Sequence, residues 1–191
     1  MFLKGKIAFF VTTNYHKFSE ACQVLAEQRV AAAMLKIGAV EIQSNDLEEI
    51  AKTSVQDAVE KTGLPVLVED AGLFIRALNG FPGPYSSYVY RTIGTGGILK
   101  LMESVDERSA YFYSTVAFYS AEESSPKCFH GKVEGNISLG ERGKQGFGFD
   151  PIFEPLDGVG RTFAEMPTTE KNKLSHRAQA LRKFATWYRS T

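Results

Sequence analysis

The chain is poor in the features that mark several protein classes. Its 191 residues include two cysteines, Cys22 and Cys128, with no CxxC or CxxH spacing, so the sequence offers no zinc-site pattern. Both are read as free buried thiols of a protein working in a reducing cytosol, which makes the expected location cytoplasmic. Net charge is absent: 22 basic residues balance 22 acidic ones. That excludes the global basic field that holds duplex nucleic acid, and any phosphate recognition has to be local. No apolar run approaches the ~20 residues needed to span a bilayer, so no membrane partner is expected. The opening Met1–Phe10 stretch reads as a short apolar strand and lacks the long apolar core and cleavage site of a secretion signal. Neither a Walker A motif nor a GxGxxG turn is present, which removes support for a P-loop enzyme or a Rossmann dehydrogenase. There is no internal repeat, linker or low-complexity segment.

What is present is core material: 14 Phe and 8 Tyr in a chain 43% hydrophobic, enough for one domain over residues 1–191, with two lobes at most. Hydrophobic periodicity predicts a buried strand over Lys6 to Thr13, then a helix from Tyr15 to about Gln28 capped by Asn14. A second strand is expected over Ala32 to Ile37. A helix follows to about Lys61, opened by a capping box of Asn45 and Glu48. Val66–Val68 reads as a short buried strand ending at Glu69-Asp70. After a Gly- and Pro-rich loop, helices are expected over Tyr88–Ile93 and Thr95–Val105, the latter capped by Thr95. Ser109–Ser120 and Lys127–Leu139 read as a hairpin. A last helix from Thr168 to Arg189 carries Leu174, Ala178, Leu181, Ala185 and Tyr188 on one face. The alternation of strands and helices makes this an α/β chain with a mixed sheet.

Four groups of residues could carry chemistry. Thr12, Thr13, Asn14 and Lys17 sit at a strand-to-helix turn, where free N–H groups and the helix dipole suit a phosphate; a plain capped helix fits equally well. Glu69 and Asp70 follow a buried strand, the place where ligands collect in open α/β sheets. With Glu41 from its own loop they could ligate Mg²⁺ and activate water, or be ordinary loop acids. Phe147 and Phe149 flank Gly148 and could clamp a flat ring, or simply belong to the core. Lys171, Ser175, His176 and Arg177 cluster early in the last helix, as on a helix edge facing a cleft. His16 and His130 have no such company in the sequence.

Together and in order, these blocks resemble the inosine triphosphate pyrophosphatase family, the non-canonical purine nucleoside triphosphate pyrophosphatases. The matching residues are Thr12-Thr13-Asn14 with Lys17, Glu41-Ile42-Gln43, Val68-Glu69-Asp70, Gly80-Phe81-Pro82-Gly83 with Tyr85-Ser86, Gly146-Phe147-Gly148-Phe149-Asp150-Pro151, Phe163-Ala164-Glu165-Met166, and Glu170-Lys171-Asn172 with Ser175-His176-Arg177. The Tyr85 to Gly94 stretch is most similar to archaeal members. The resemblance implies an elongated two-lobed α/β fold around a long twisted mixed sheet, with a cleft between the lobes, and a homodimer with Gly80–Tyr90 as a candidate contact surface. It implies Mg²⁺-dependent cleavage of inosine or xanthosine triphosphates, ribo or deoxy, to monophosphate and pyrophosphate, which cleanses the nucleotide pool of deaminated purines. By the same resemblance Thr12, Thr13, Asn14 and Lys17 hold the triphosphate, and Lys17 also serves catalysis. Glu41, Asp70 and Glu69 bind the metal, with Asp70 as base. Phe147, Gly148, Phe149 and Asp150 surround the purine, Lys171 reaches phosphate or sugar, and Ser175, His176 and Arg177 read the base edge. The chain departs from the family pattern at Ala71, where a hydroxyl residue is common, and at Thr13, where glycine is common. It also has no assignable phosphate-facing lysine in the second helix, where Gln56-Asp57 fall. Two rival readings are a pyrophosphatase for other nucleotides and a nucleotide-binding module without turnover.

Overall fold

The computed structural model describes residues 6–191, so the part of the expected first strand that falls on residues 1–5 lies outside the described residues. Among the described residues seven strands form one mixed sheet in the order β2-β1-β3-β5-β6-β7, with β4 paired to β3. They are β1 (Lys6–Val11), β2 (Val30–Leu35), β3 (Val66–Ile75), β4 (Pro82–Gly83), β5 (Ser109–Tyr119), β6 (Lys127–Ile137) and β7 (Phe153–Pro155). The helices are α1 (Tyr15–Glu27), α2 (Leu47–Thr62), α3 (Ser86–Thr92), α4 (Gly94–Leu101), α5 (Thr168–Leu174) and α6 (His176–Ser190). The chain divides into two compact units: residues 1–70, 114–131 and 177–191, and residues 71–113 and 132–176.

In the first unit β1 runs parallel to β2 from Lys6↔Val30 to Val11↔Leu35, and parallel to β3 at Phe9↔Val66 and Phe10↔Leu67. Parallel strands buried on both faces read as continuous apolar runs, which is why Ala8, Phe10, Val66 and Leu67 all lie in cores. Phe10, Val24, Leu25, Leu67, Leu181 and Phe184 belong to one cluster. Val11, Val55, Val59 and Val68 belong to another, against which α2 sets the helical stripe Ala51, Val55, Ala58 and Val59. In the second unit Leu73, Ile75, Ile98, Phe112, Ile152, Phe153 and Phe163 form the core.

Several local expectations are corrected. β3 does not stop at Glu69-Asp70: it continues to Ile75, because Leu73 and Ile75 alternate into the core and Leu73 and Phe74 pair with Gly83 and Pro82. The helix expected from Thr168 to Arg189 is two helices. Ser175 has ψ 147°, and its N–H closes α5 on the Lys171 carbonyl at 2.9 Å. A serine in extended backbone ahead of a helix start is a favoured arrangement, and the apolar spacing simply ran on across the break. Thr95 is not a cap. α4 begins at Gly94, and the Thr95 hydroxyl donates to the Glu141 carboxylate instead. That helix also ends at Leu101, short of Val105. The cap of α2 is Asp46 rather than Asn45, its carboxylate accepting from the Glu48 N–H at 2.8 Å. Both cysteines are free but half-buried. His130 sits apart from the four groups, its Nε2 3.0 Å from Glu48 and its Nδ1 3.2 Å from the Thr115 hydroxyl.

Candidate active site

In the first unit the turn between β1 and α1 is built by two side chains. Thr12 Oγ1 accepts from the Asn14 N–H at 3.1 Å, and Asn14 Oδ1 accepts from the Lys17 N–H at 3.1 Å. The second bond is the N-cap of α1, so the sequence reading of Asn14 holds. With its backbone fixed there, Lys17 crosses to β3. Its ammonium donates to the Glu69 carbonyl at 3.1 Å and lies 3.0 Å from Glu69 Oε2.

Glu69 is fully buried at its side chain, and its other oxygen is also engaged. Oε1 accepts from the Ser114 hydroxyl at 2.6 Å and lies 3.1 Å from Arg177 Nε. Arg177 Nη1 in turn donates to Glu20 Oε2 at 2.5 Å. Three elements therefore meet in a chain of alternating charge: Glu20 and Lys17 on α1, Arg177 on α6 and Glu69 on β3. Burial by itself would pull the Arg177 guanidinium down. The carboxylates of Glu69 and Glu20 outweigh that and hold it above its ordinary value. Such a network is favourable only with every partner in place, because a buried charge left without one is costly.

Asp70 follows on the same strand and is half-buried; side chains alternate along a strand, so it is directed to the face opposite Glu69. Glu41 is exposed in the segment between β2 and α2, and Thr13 is exposed in the turn. Among the described residues no three His, Cys, Asp or Glu side chains gather as a ready-made metal centre. Asp70 and Glu41 are hard oxygen donors. That donor set fits Mg²⁺, which keeps several waters and is bound by one or two carboxylates plus substrate phosphates.

In the second unit the Gly146–Asp150 loop folds around its own carboxylate. Asp150 is 3% exposed. Its Oδ2 accepts from the Phe147 N–H at 2.9 Å and from the Lys171 ammonium at 2.6 Å. Lys171 is equally buried, its ammonium 5.1 Å from the centre of the Phe147 ring and 5.4 Å from that of Phe163. Phe149 is a core residue meeting Tyr90 edge-on at 5.5 Å, whereas Phe147 and Gly148 keep part of their surface open. His176 stacks on Phe112 with ring centres 4.6 Å apart, and Ser175 is fully buried. A cavity of about 580 Å³ elsewhere in this unit is lined by Arg108, Ser138, Glu141, Arg142 and Glu154 among others, and by none of the residues singled out above.

The structure thus brings together Lys17, Glu69 and Arg177, and separately Phe147, Asp150 and Lys171. Sequence reasoning missed Glu20, Ser114 and Phe112. Glu20 did leave a signal, an acid adjoining the buried stripe of Ala21, Val24 and Leu25. Ser114 left none.

Comparison with known proteins places these residues in context. The profile of the Ham1 family matches residues 8–187. The dITP/XTP pyrophosphatase of Methanothermobacter marburgensis is 50% identical over 179 residues, covering 94% of both chains. That of Methanopyrus kandleri is 48% identical over 181 residues, covering 95% of both. Among solved structures, a HAM1 protein from Coxiella burnetii superposes with a TM-score of 0.84 at 31% identity, covering 97% of this chain and all (100%) of the other.

Proposed function

The chain belongs to the Ham1 family, and on that premise we propose that it is a nucleoside triphosphate pyrophosphatase for non-canonical purines, dITP, ITP and XTP. Relatives named dITP/XTP pyrophosphatase, alike over nearly the full length, support the substrate class. The observation that carries the chemistry is the Lys17 ammonium, held against β3 at the start of α1 with Asp70 as the next residue of that strand. The turn Thr12–Asn14 and the first N–H groups of α1 suit the phosphate chain, and Lys17 adds charge to it. Thr13, exposed at the same turn, adds a hydroxyl.

In the proposed reaction water attacks the α-phosphorus in line, the α–β bridging bond breaks, and pyrophosphate leaves with the bond electrons. Asp70 accepts the proton of the attacking water. When bound, Mg²⁺ supplies neutralisation of the charge on the leaving pyrophosphate, with Asp70 and Glu41 as its protein ligands. Glu69 is spent on two cations and a hydroxyl, so its part is to hold Lys17 rather than the metal.

For the base, Phe147 and Gly148 offer the open surface of their loop, while Phe149, Asp150 and Lys171 support it from below. A carbonyl at C6 of the purine accepts hydrogen bonds and an amino group does not. Arg177 is committed to Glu69 and Glu20, so base reading falls to His176; a donor there would be left unsatisfied by adenine, a discrimination worth about 10⁴-fold where a site is built on such bonds. Removal of deaminated purine nucleotides in the cytoplasm is the matching role. A homodimer through the Gly80–Tyr90 segment, where Tyr88 is 63% exposed, completes the proposal.

The test is pyrophosphate release with Mg²⁺ from dITP and XTP beside ATP and GTP, for wild type and Asp70→Asn. Release from dITP and XTP, lost by at least about a hundredfold in the variant, is expected. Equal release from all four nucleotides overturns the base reading. Binding of dITP without release overturns the reaction.

A further inference from the structure

We propose that Ser114 is a positioning residue for the Lys17 ammonium, acting through the Glu69 carboxylate; the inference rests on the role given to Lys17 above. Ser114 lies on β5 with no exposed surface, next to buried Val116 and Ala117. A hydroxyl in such a place is costly unless it is hydrogen-bonded. Its partner is a carboxylate at 2.6 Å, the short distance of a charge-assisted bond.

The geometry explains why that bond matters. A carboxylate held at one point pivots, and its second oxygen sweeps an arc. Glu69 Oε1 is met from two directions by two elements, Ser114 on β5 and Arg177 on α6. That fixes the plane of the group and leaves Oε2 facing Lys17 at 3.0 Å. The lysine stem is long and flexible, so its head goes where its acceptors are. Here the Glu69 carbonyl accepts from it and Oε2 is its ion-pair partner. Thr115, the next residue, cannot substitute, because its hydroxyl is directed to His130. Replacing Ser114 by alanine removes a donor and no charge. Glu20, Arg177, Glu69 and Lys17 keep their balance, and only the aim of the carboxylate is lost. The positioning effect is therefore separable from an electrostatic one.

The experiment uses wild type, Ser114→Ala, Ser114→Cys, Lys17→Met and the Ser114→Ala/Lys17→Met double variant. Pyrophosphate release from dITP with Mg²⁺ is measured as kcat and KM, and the rate of reductive methylation of the Lys17 amine by mass spectrometry without nucleotide. Ser114→Ala is expected to lower kcat about tenfold with KM within twofold, and to leave Lys17→Met unchanged when added to it, since both act on one element. Ser114→Cys, a near-isostere with a weak donor, falls between, and carries the test if the alanine variant does not fold. Methylation of Lys17 is expected to be at least about threefold faster in Ser114→Ala, as a loosely held amine reacts more readily. Full multiplication of the two kcat losses, or an unchanged kcat, overturns the proposal. If wild type releases no pyrophosphate, the functional reading fails first. The methylation rates still decide whether Ser114 holds Lys17, and equal rates overturn it.

Discussion

Two glycines of the Gly146–Asp150 loop share one backbone conformation and face opposite surroundings, which makes them a controlled pair. Gly146 has φ 73° and Gly148 φ 64°. Alanine in that left-handed region costs about 1–2 kcal/mol at either position. A Cβ on Gly148 would meet nothing within 4 Å, so that cost is the whole effect. A Cβ on Gly146 would stand 2.0 Å from Asp150 Oδ2. That oxygen cannot swing away freely, since it accepts from the Phe147 N–H at 2.9 Å and from Lys171 at 2.6 Å, all inside the protein. Displacing it breaks a buried ion pair, a loss of about 3–5 kcal/mol. The expected totals are about 1–2 kcal/mol for Gly148→Ala and about 4–7 kcal/mol for Gly146→Ala. At about 2–4 °C per kcal/mol for a chain of this size, Tm should fall by roughly 2–8 °C in the first and by about 8 °C or more in the second. Thermal unfolding followed by circular dichroism reads the difference directly. Equal shifts in the two variants would refute the claim that Asp150 is rigidly held, and with it the view that Lys171 works as a buried counter-ion of this loop.

Two further outcomes follow from titratable groups. The Cys128 thiol is pushed up to about 11 by burial, with the nearby Glu48 carboxylate adding to the effect. Its alkylation by iodoacetamide at pH 7.5 should be at least about a hundredfold slower than that of an unhindered thiol, and a rate equal to the free thiol would contradict the assignment. The Glu165 carboxyl is held below the usual range, first by the Thr162 N–H and then by Arg142. A depressed folded value means its contribution is present in full above the unfolded value near pH 4.3 and is lost as pH falls through the lower folded one. Urea unfolding between pH 3 and 5 should therefore show a shallower acid-side decline for Glu165→Gln than for wild type.

The fold was largely legible because its strongest signals are periodic. Ala8, Phe10 and Val11 of β1, the helical stripe of α2 and the apolar faces of β5 and β6 each bury what their spacing promised. Boundaries failed where a local rule met a tertiary demand. Glu69-Asp70 looked like a strand end because acids and the following Ala71-Gly72 are weak strand formers, yet Leu73 and Ile75 beyond them carry the strand into a second core. Ser175 looked like one more helical residue because the apolar spacing is preserved on both sides of it. At the site, Asn14 and Lys17 could be read from the helix start alone. The roles of Arg177 and Lys171 could not, since a basic residue in a polar cluster carries no mark of burial. Their partners, Glu20 at 157 positions' separation and Asp150 at 21, are fixed only by the tertiary fold.

The alternating row of Glu20, Arg177, Glu69 and Lys17 has a consequence for how a ligand is met. Two negative and two positive charges in line have no monopole, and a multipole fades within a few ångströms where a bare lysine would be felt about a Debye length away. The chain as a whole also has a formal net charge of zero. Anions in solution are therefore not drawn in from afar. On the proposed function, phosphate groups would be recognised on contact, once the lysine head exchanges one oxygen for another and leaves Arg177 between two carboxylates. Discrimination among crowded cellular anions then rests on shape and short-range bonding rather than on attraction at a distance.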